Sequence, residues 1–149
     1  MKRILLAAVL LLALVTPALA GVSRGQLIYV PCSSYIYHGV KTRAFDLTVT
    51  LMVRNTDPRK AITVTAVDYY GSDGRMVRRM LETVVTLPPL ATREFVVEQN
   101  DASGGAGASF LVRWRSDVPV NEPVVESVMI GTSNSQGISF TSRGVEIKE

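Results

Sequence analysis

Apolar and polar residues alternate with a period of two along most of this chain. In "FDLTVTLMVRN" (45–55), Phe45, Leu47, Val49, Leu51 and Val53 share one face, while Asp46, Thr48, Thr50 and Arg54 share the other. That pattern predicts a strand with one wet face. "ITVTAVDYY" (62–70) starts in the same phase with Ile62, Val64 and Ala66, then shifts to Val67 and Tyr69, which predicts a bulge near Ala66. "TDPRK" (56–60) between them reads as a turn. "GSDG" (71–74) reads as a hairpin turn, with "RMVRRML" (75–81) as the return strand.

The second half continues in this style. "TVVTL" (83–87) stops at Pro88-Pro89, and "REFVVE" (93–98) turns Phe95 and Val97 toward a core. "NDASGGAGA" (100–108) reads as a flexible Gly-rich connection. "SFLVRWRS" (109–116) puts Phe110, Val112 and Trp114 inward and Arg113 and Arg115 outward. "DVPVNEP" (117–123) reads as a Pro-bounded loop and "VVESVMIGT" (124–132) as a strand. "SNSQG" (133–137) turns into "ISFTS" (138–142), whose edge Val145 and Ile147 are expected to extend. No stretch carries a helical apolar stripe. The prediction is an all-β, antiparallel two-sheet sandwich of about seven to nine strands, Ig-like in architecture, with Trp114 anchoring the core. A small closed barrel is the alternative.

The first twenty residues stand apart. Lys2 and Arg3 precede the apolar run "ILLAAVLLLALV" (4–15), and Ala18-Leu19-Ala20 supplies small residues where a signal peptidase reads. As a helix the run spans about 18 Å, against roughly 30 Å of hydrocarbon, so a cleaved Sec-type signal is expected rather than a membrane anchor. Cleavage after Ala20 leaves one domain, 21–149, periplasmic or secreted. Of 16 basic and 13 acidic residues, two basic ones leave with the signal, so net charge falls from +3 to 14 − 13 = +1. With no basic cluster interleaved with aromatics, nucleic acid is not an expected partner. The lone Cys32 excludes an internal disulfide, so the core must hold the fold unaided.

Candidate chemistry concentrates in "YVPCSSYIYHG" (29–39), which holds the one cysteine and the one histidine, His38. A thiol nucleophile needs a base within reach and a group to orient it. Alternation puts Tyr35 and Tyr37 on one face and Ile36 and His38 on the other, and nothing forces Cys32 against His38. A metal site needs three or four convergent ligands, and the methionines show no clustering. "SGGAGAS" (103–109) lacks the Lys-Ser/Thr of a phosphate loop and leads into a strand. The carboxylates Asp68, Glu94, Glu98, Asp101, Glu122 and Glu126 scatter over strands and loops. The expectation is therefore no enzyme, no cofactor and no metal. The binding surface is expected on loops carrying Tyr35, Tyr37, His38, Asn121, Glu122, Ser139 and Arg143, facing an envelope protein, peptide or glycan. The alternative is a thiol or metal-dependent protein centred on Cys32 and His38.

The ordered motifs "YVP…YIYHG", "LTVTLMVRNTDP" (47–58), "ITVTAVDYYGSDGRMVR" (62–78), "LPPLATREFVVE" (87–98), "GGAGASFLVRW" (104–114) and "NEPVVESVMIGT…QGISFTSRG" (121–144) resemble a bacterial exported family, domain of unknown function 3124. The resemblance spans 21–149 and implies bacterial export without supplying an activity or a catalytic residue. Cys32 departs from the non-thiol residue that the family leads one to expect. The Asn-Thr-Asp-Pro turn with "DYYGSDG" also resembles Ig-like bacterial accessory modules, a likeness that bears on fold alone.

Overall fold

The computed structural model describes residues 21–133 and 136–148. The expected signal at 1–20 lies outside the described residues, as do Asn134 and Ser135 of the expected turn at 133–137. Among the described residues there is no helix. Twelve strands form: β1 (Val22–Pro31), β2 (Tyr35–His38), β3 (Arg43–Asp46), β4 (Thr48–Arg54), β5 (Ile62–Tyr70), β6 (Met76–Arg79), β7 (Val85–Leu87), β8 (Thr92–Val97), β9 (Ser109–Asn121), β10 (Val124–Ser133), β11 (Gln136–Arg143) and β12 (Val145–Ile147).

They pair antiparallel in three sheets. One runs β12-β1-β9-β5-β6, with β7 also on β5; a second runs β11-β10-β4-β8; β2 and β3 make a separate hairpin. The count exceeds the expected seven to nine because β1 and β12 join as strands of their own, and the single run expected at 45–55 splits at Leu47 into β3, which pairs with β2, and β4.

Alternation decides which side chains meet. Val49, Leu51 and Val53 of β4 face Val64, Val67 and Tyr69 of β5 and Phe110, Val112 and Trp114 of β9 in one continuous buried cluster. Trp114 is 1% exposed, and its indole Nε1 donates to Gln26 Oε1 at 3.1 Å, so the buried donor is satisfied. The expected bulge is present: Val64 pairs with Trp114 and Ala66 with Arg113, leaving Thr65 as the extra residue. This inserted residue carries the inward phase from Val64 to Val67.

Three sequence expectations change. Residues 22–28, left unassigned by the pattern, open β1, because Ser23, Arg24 and Gly25 hide a period that emerges only at Gln26, Ile28 and Val30. The loop expected at 117–123 is mostly strand. Ser23 pairs with Val120 and Gly25 with Arg115, so Ser116–Pro119 loops out as a wide irregularity inside β9 before Val120 rejoins the core. Val145 and Ile147 do not extend the β11 edge but pair with Tyr29 and Leu27 in the other sheet. The crossing happens at Gly144, whose amide donates to the Val125 carbonyl at 2.8 Å and where a Cβ would lie 2.5 Å from Ile28 Cγ2. Only glycine fits between the sheets there.

The turn after β4 is a buried polar knot. The Asn55 amide donates to the carbonyls of Lys60 (2.8 Å), Leu87 (3.2 Å) and Pro88 (2.9 Å), while its Oδ1 accepts from Asp57 N. Asp57 Oδ1 accepts from Arg59 N and Lys60 N, and Oδ2 from Asn121 N. Three connections are thereby tied at one end of the molecule.

Candidate functional site

Cys32 follows β1 directly and is 4% exposed, its amide bonded to the Ala108 carbonyl. Burial pushes its thiol up to about 12, the reverse of the lowered value that makes a thiolate nucleophile. His38 is exposed on β2, its ring edge-on to Phe45 at 5.5 Å between centroids. The hollows that His38 lines do not include Cys32. Among the described residues, no three of His, Cys, Asp and Glu gather as a metal-holding group. Of the six carboxylates, Asp68 meets Arg79 (3.3 Å), Asp101 meets Arg78 (3.1 Å) and Glu126 meets Arg54 (3.3 Å) at the surface.

The Gly-rich connection is bonded down rather than open. Ser33 Oγ donates to the Ala106 carbonyl at 2.7 Å, and Gly105 N donates to Ser34 Oγ at 2.8 Å. The Gly105 and Gly107 amides are thus taken up by Ser34 and Ser72, and that of Ser103 by Asp101 Oδ1.

The seven expected binding residues separate into two groups. Tyr35, Tyr37 and His38 sit on the β2–β3 hairpin; Asn121, Glu122 and Arg143 sit at the opposite end of β11 and β9. Eight residues of β11 cover roughly 23 Å between those ends. Glu122 and Arg143 share a hollow of about 230 Å³ with Pro123 and Gly144. Asn121 spends its amide on Asp57, a structural duty. Ser139 is exposed midway along β11, opposite Ile130. The loops expected to make one surface therefore do not.

On the hairpin the predicted faces hold. Tyr35 and Tyr37 stack edge-on at 5.4 Å, and the Tyr37 hydroxyl, hydrogen-bonded to Tyr35, holds Tyr35 above its ordinary pKa. Ile36 and His38, on the other face, line a largely apolar hollow of about 160 Å³ with Phe45, Gln136, Gly137 and Ile138. Phe45 is seated by Gly131, where a Cβ would overlap the Phe45 ring and lie 2.9 Å from the Asp46 carbonyl oxygen. Sequence reading placed Phe45 in the core and gave Ile36 and Ile138 no role. Phe45 and Ile36 pack half-buried against the core while Ile138 stays exposed beside them, an arrangement that depends on the hairpin folding over β10, which no local pattern encodes.

No curated protein matches this sequence. Among solved structures, the chain is similar to the crystal structure of Thermotoga maritima 1070 at 12% identity and a TM-score of 0.46, covering 83% of this chain and 93% of that one. That likeness is too distant to inform fold or role. The model of the family described as Protein of unknown function (DUF3124) matches residues 25–147, and the chain belongs to that family.

Proposed function

We propose that this protein is an exported, non-enzymatic binding module, an Ig-like β-sandwich whose edge strand β11 pairs with an extended peptide segment of an envelope partner. Export rests on the signal-like leader at 1–20, and the two-layer reading rests on the single core cluster drawn from both large sheets.

The observation that carries the binding reading is the composition of β11. Sheet edges offer unpaired backbone groups, and proteins blunt them with charges, prolines or short length. β6 carries Arg78 and Arg79, β8 carries Arg93 and Glu94, and β7 and β12 have three residues each. β11 has no such guard over "QGISFTS" (136–142), and charge enters only at Arg143. An incoming strand gains affinity from backbone hydrogen bonds and selectivity from side-chain pockets. The hollow between Ile36, Phe45 and Ile138 supplies such a pocket for an apolar side chain.

The test is selection of peptides from a displayed random library against the mature protein. Selected peptides should alternate apolar and polar residues, and Ile138→Lys or Ser139→Lys should weaken them by about tenfold or more while the melting temperature is retained. A library that yields no binder, or binders indifferent to both substitutions, contradicts the reading. So does self-association of the free protein that the same lysines abolish, since β11 would then serve a second copy.

A further inference from the structure

Strand β1 leaves almost no slack behind the expected processing site. Val22 is its first residue and pairs with Asn121 on β9. One residue earlier, the Gly21 carbonyl accepts from the Glu122 amide at 3.2 Å. The half-buried Glu122 side chain folds back over the same glycine. A Cβ on Gly21 would overlap Glu122 Oε1 and Cδ and lie 2.6 Å from Oε2, so a side chain there would push the carboxylate aside. Tetrahedral geometry sets the Gly21 nitrogen roughly 2.5 Å from that Cβ position, hence within about 5 Å of Oε2. Glu122 therefore meets Gly21 twice, by its amide and by its carboxylate.

A peptide nitrogen at Gly21 is neutral. Cleavage after Ala20 turns it into an ammonium, a full positive charge with N–H donors beside that carboxylate. Charge-assisted hydrogen bonds of this kind are stronger than those between neutral groups. Other charged groups stand at the same end. Arg24 is exposed on β1, Asp57 Oδ2 accepts from the Asn121 amide at 3.2 Å, and Lys60 Nζ donates to the Pro119 carbonyl at 3.1 Å. Arg54 and Glu126 pair with each other at 3.3 Å. Arg143 and Glu146 line the hollow of about 230 Å³ that Glu122 shares. Arg143 can compete for Glu122 and Glu146 for the ammonium, so both are varied in the test below.

We propose, resting on the export reading and its cleavage after Ala20, that Glu122 captures the α-ammonium which processing creates at Gly21, tying the start of β1 to the end of β9. The test uses the full chain expressed with its leader and recovered from the periplasm. Intact mass reports the first residue, and the Gly21 Cα shift of the 13C-labelled protein follows the amine through a pH titration. The titration midpoint should lie above the about 7.7–8.0 of a free α-amine by roughly half a pH unit or more, the effect of a unit charge about 4 Å away in water. The elevation should shrink as sodium chloride is added. Glu122→Gln should abolish it, and Gly21→Ala, which displaces the carboxylate, should reduce it. Arg143→Gln and Glu146→Gln should leave it in place. An ordinary midpoint in the mature protein, a midpoint indifferent to Glu122→Gln, or an equal fall in Glu146→Gln overturns the capture while leaving export standing. A first residue other than Gly21 overturns both the capture and the cleavage position, and the mass alone tells the two failures apart.

Discussion

Asn55 and Asp57 show how much a turn signal leaves unsaid. The sequence marks "NTDP" as a turn, which it is, but besides their local bonds Asn55 reaches carbonyls 32 and 33 residues away and Asp57 an amide 64 away. Only the closed fold reveals that this turn is a knot. Asn55→Ala leaves the Leu87 and Pro88 carbonyls without their buried donor and should destabilise the protein by about 2–3 kcal/mol in urea denaturation. The backbone amides bonded to Asp57, Arg59 first, hold its carboxyl below the usual range. A carboxyl with a lowered folded pKa stabilises the fold above its unfolded value of 3.8 and loses that contribution as pH falls through the folded value. Asp57→Asn should therefore lower the melting temperature at pH 7 and flatten its decline below pH 4. An unchanged acid limb would show that Asp57 does not carry that dependence. Cys32 behaves in the opposite sense: with a folded value of about 12 against 9.0, it favours the fold below pH 9 and withdraws that stability as pH rises toward 12. Burial of Tyr69, which also reaches about 12, adds to the same alkaline loss. At pH 8 iodoacetamide should label native Cys32 about a thousandfold more slowly than the denatured chain, and labelling at comparable rates would mean an exposed thiol.

At the scale of elements, long alternating runs were legible and short pairings were not. β4, the phase change in β5 and the inward Trp114 follow from spacing alone, because burial on one face imposes a period of two. β12 was misplaced because Val145 and Ile147 suit either sheet edge, and the choice is made by the close passage of Gly144 against Ile28. The hairpin β2–β3 gave only a hint, in the face split between Tyr35/Tyr37 and Ile36/His38, which places His38 at the apolar hollow and the tyrosines away from it. Gly131 fixes that hairpin to β10. Gly131→Ala should cost about 1–3 kcal/mol through overpacking and unseat Phe45, seen as faster amide exchange over residues 43–46 with the β4 amides still protected. Equal exchange in both proteins would show that the contact is not needed.

At the scale of the whole molecule, the proposed export leader precedes a disulfide-free core whose candidate surface is the bare edge of β11. Expression of the full chain in a bacterial host should yield a periplasmic product beginning at Gly21, read by intact-mass spectrometry; retention of residues 1–20 in the cytoplasm would remove export from the account. The seven residues named from sequence include three near the β11 edge's hairpin end, namely Tyr35, Tyr37 and His38, and Ser139 on the strand itself. Asn121, Glu122 and Arg143 belong to the opposite end, because polar loops look alike in sequence wherever the fold sends them. The most direct measurement is amide hydrogen exchange of the mature protein with and without a saturating library-selected peptide. Slowed exchange confined to Gln136–Arg143 and the facing hairpin is the result the account predicts; protection elsewhere, with β11 amides unchanged, contradicts it.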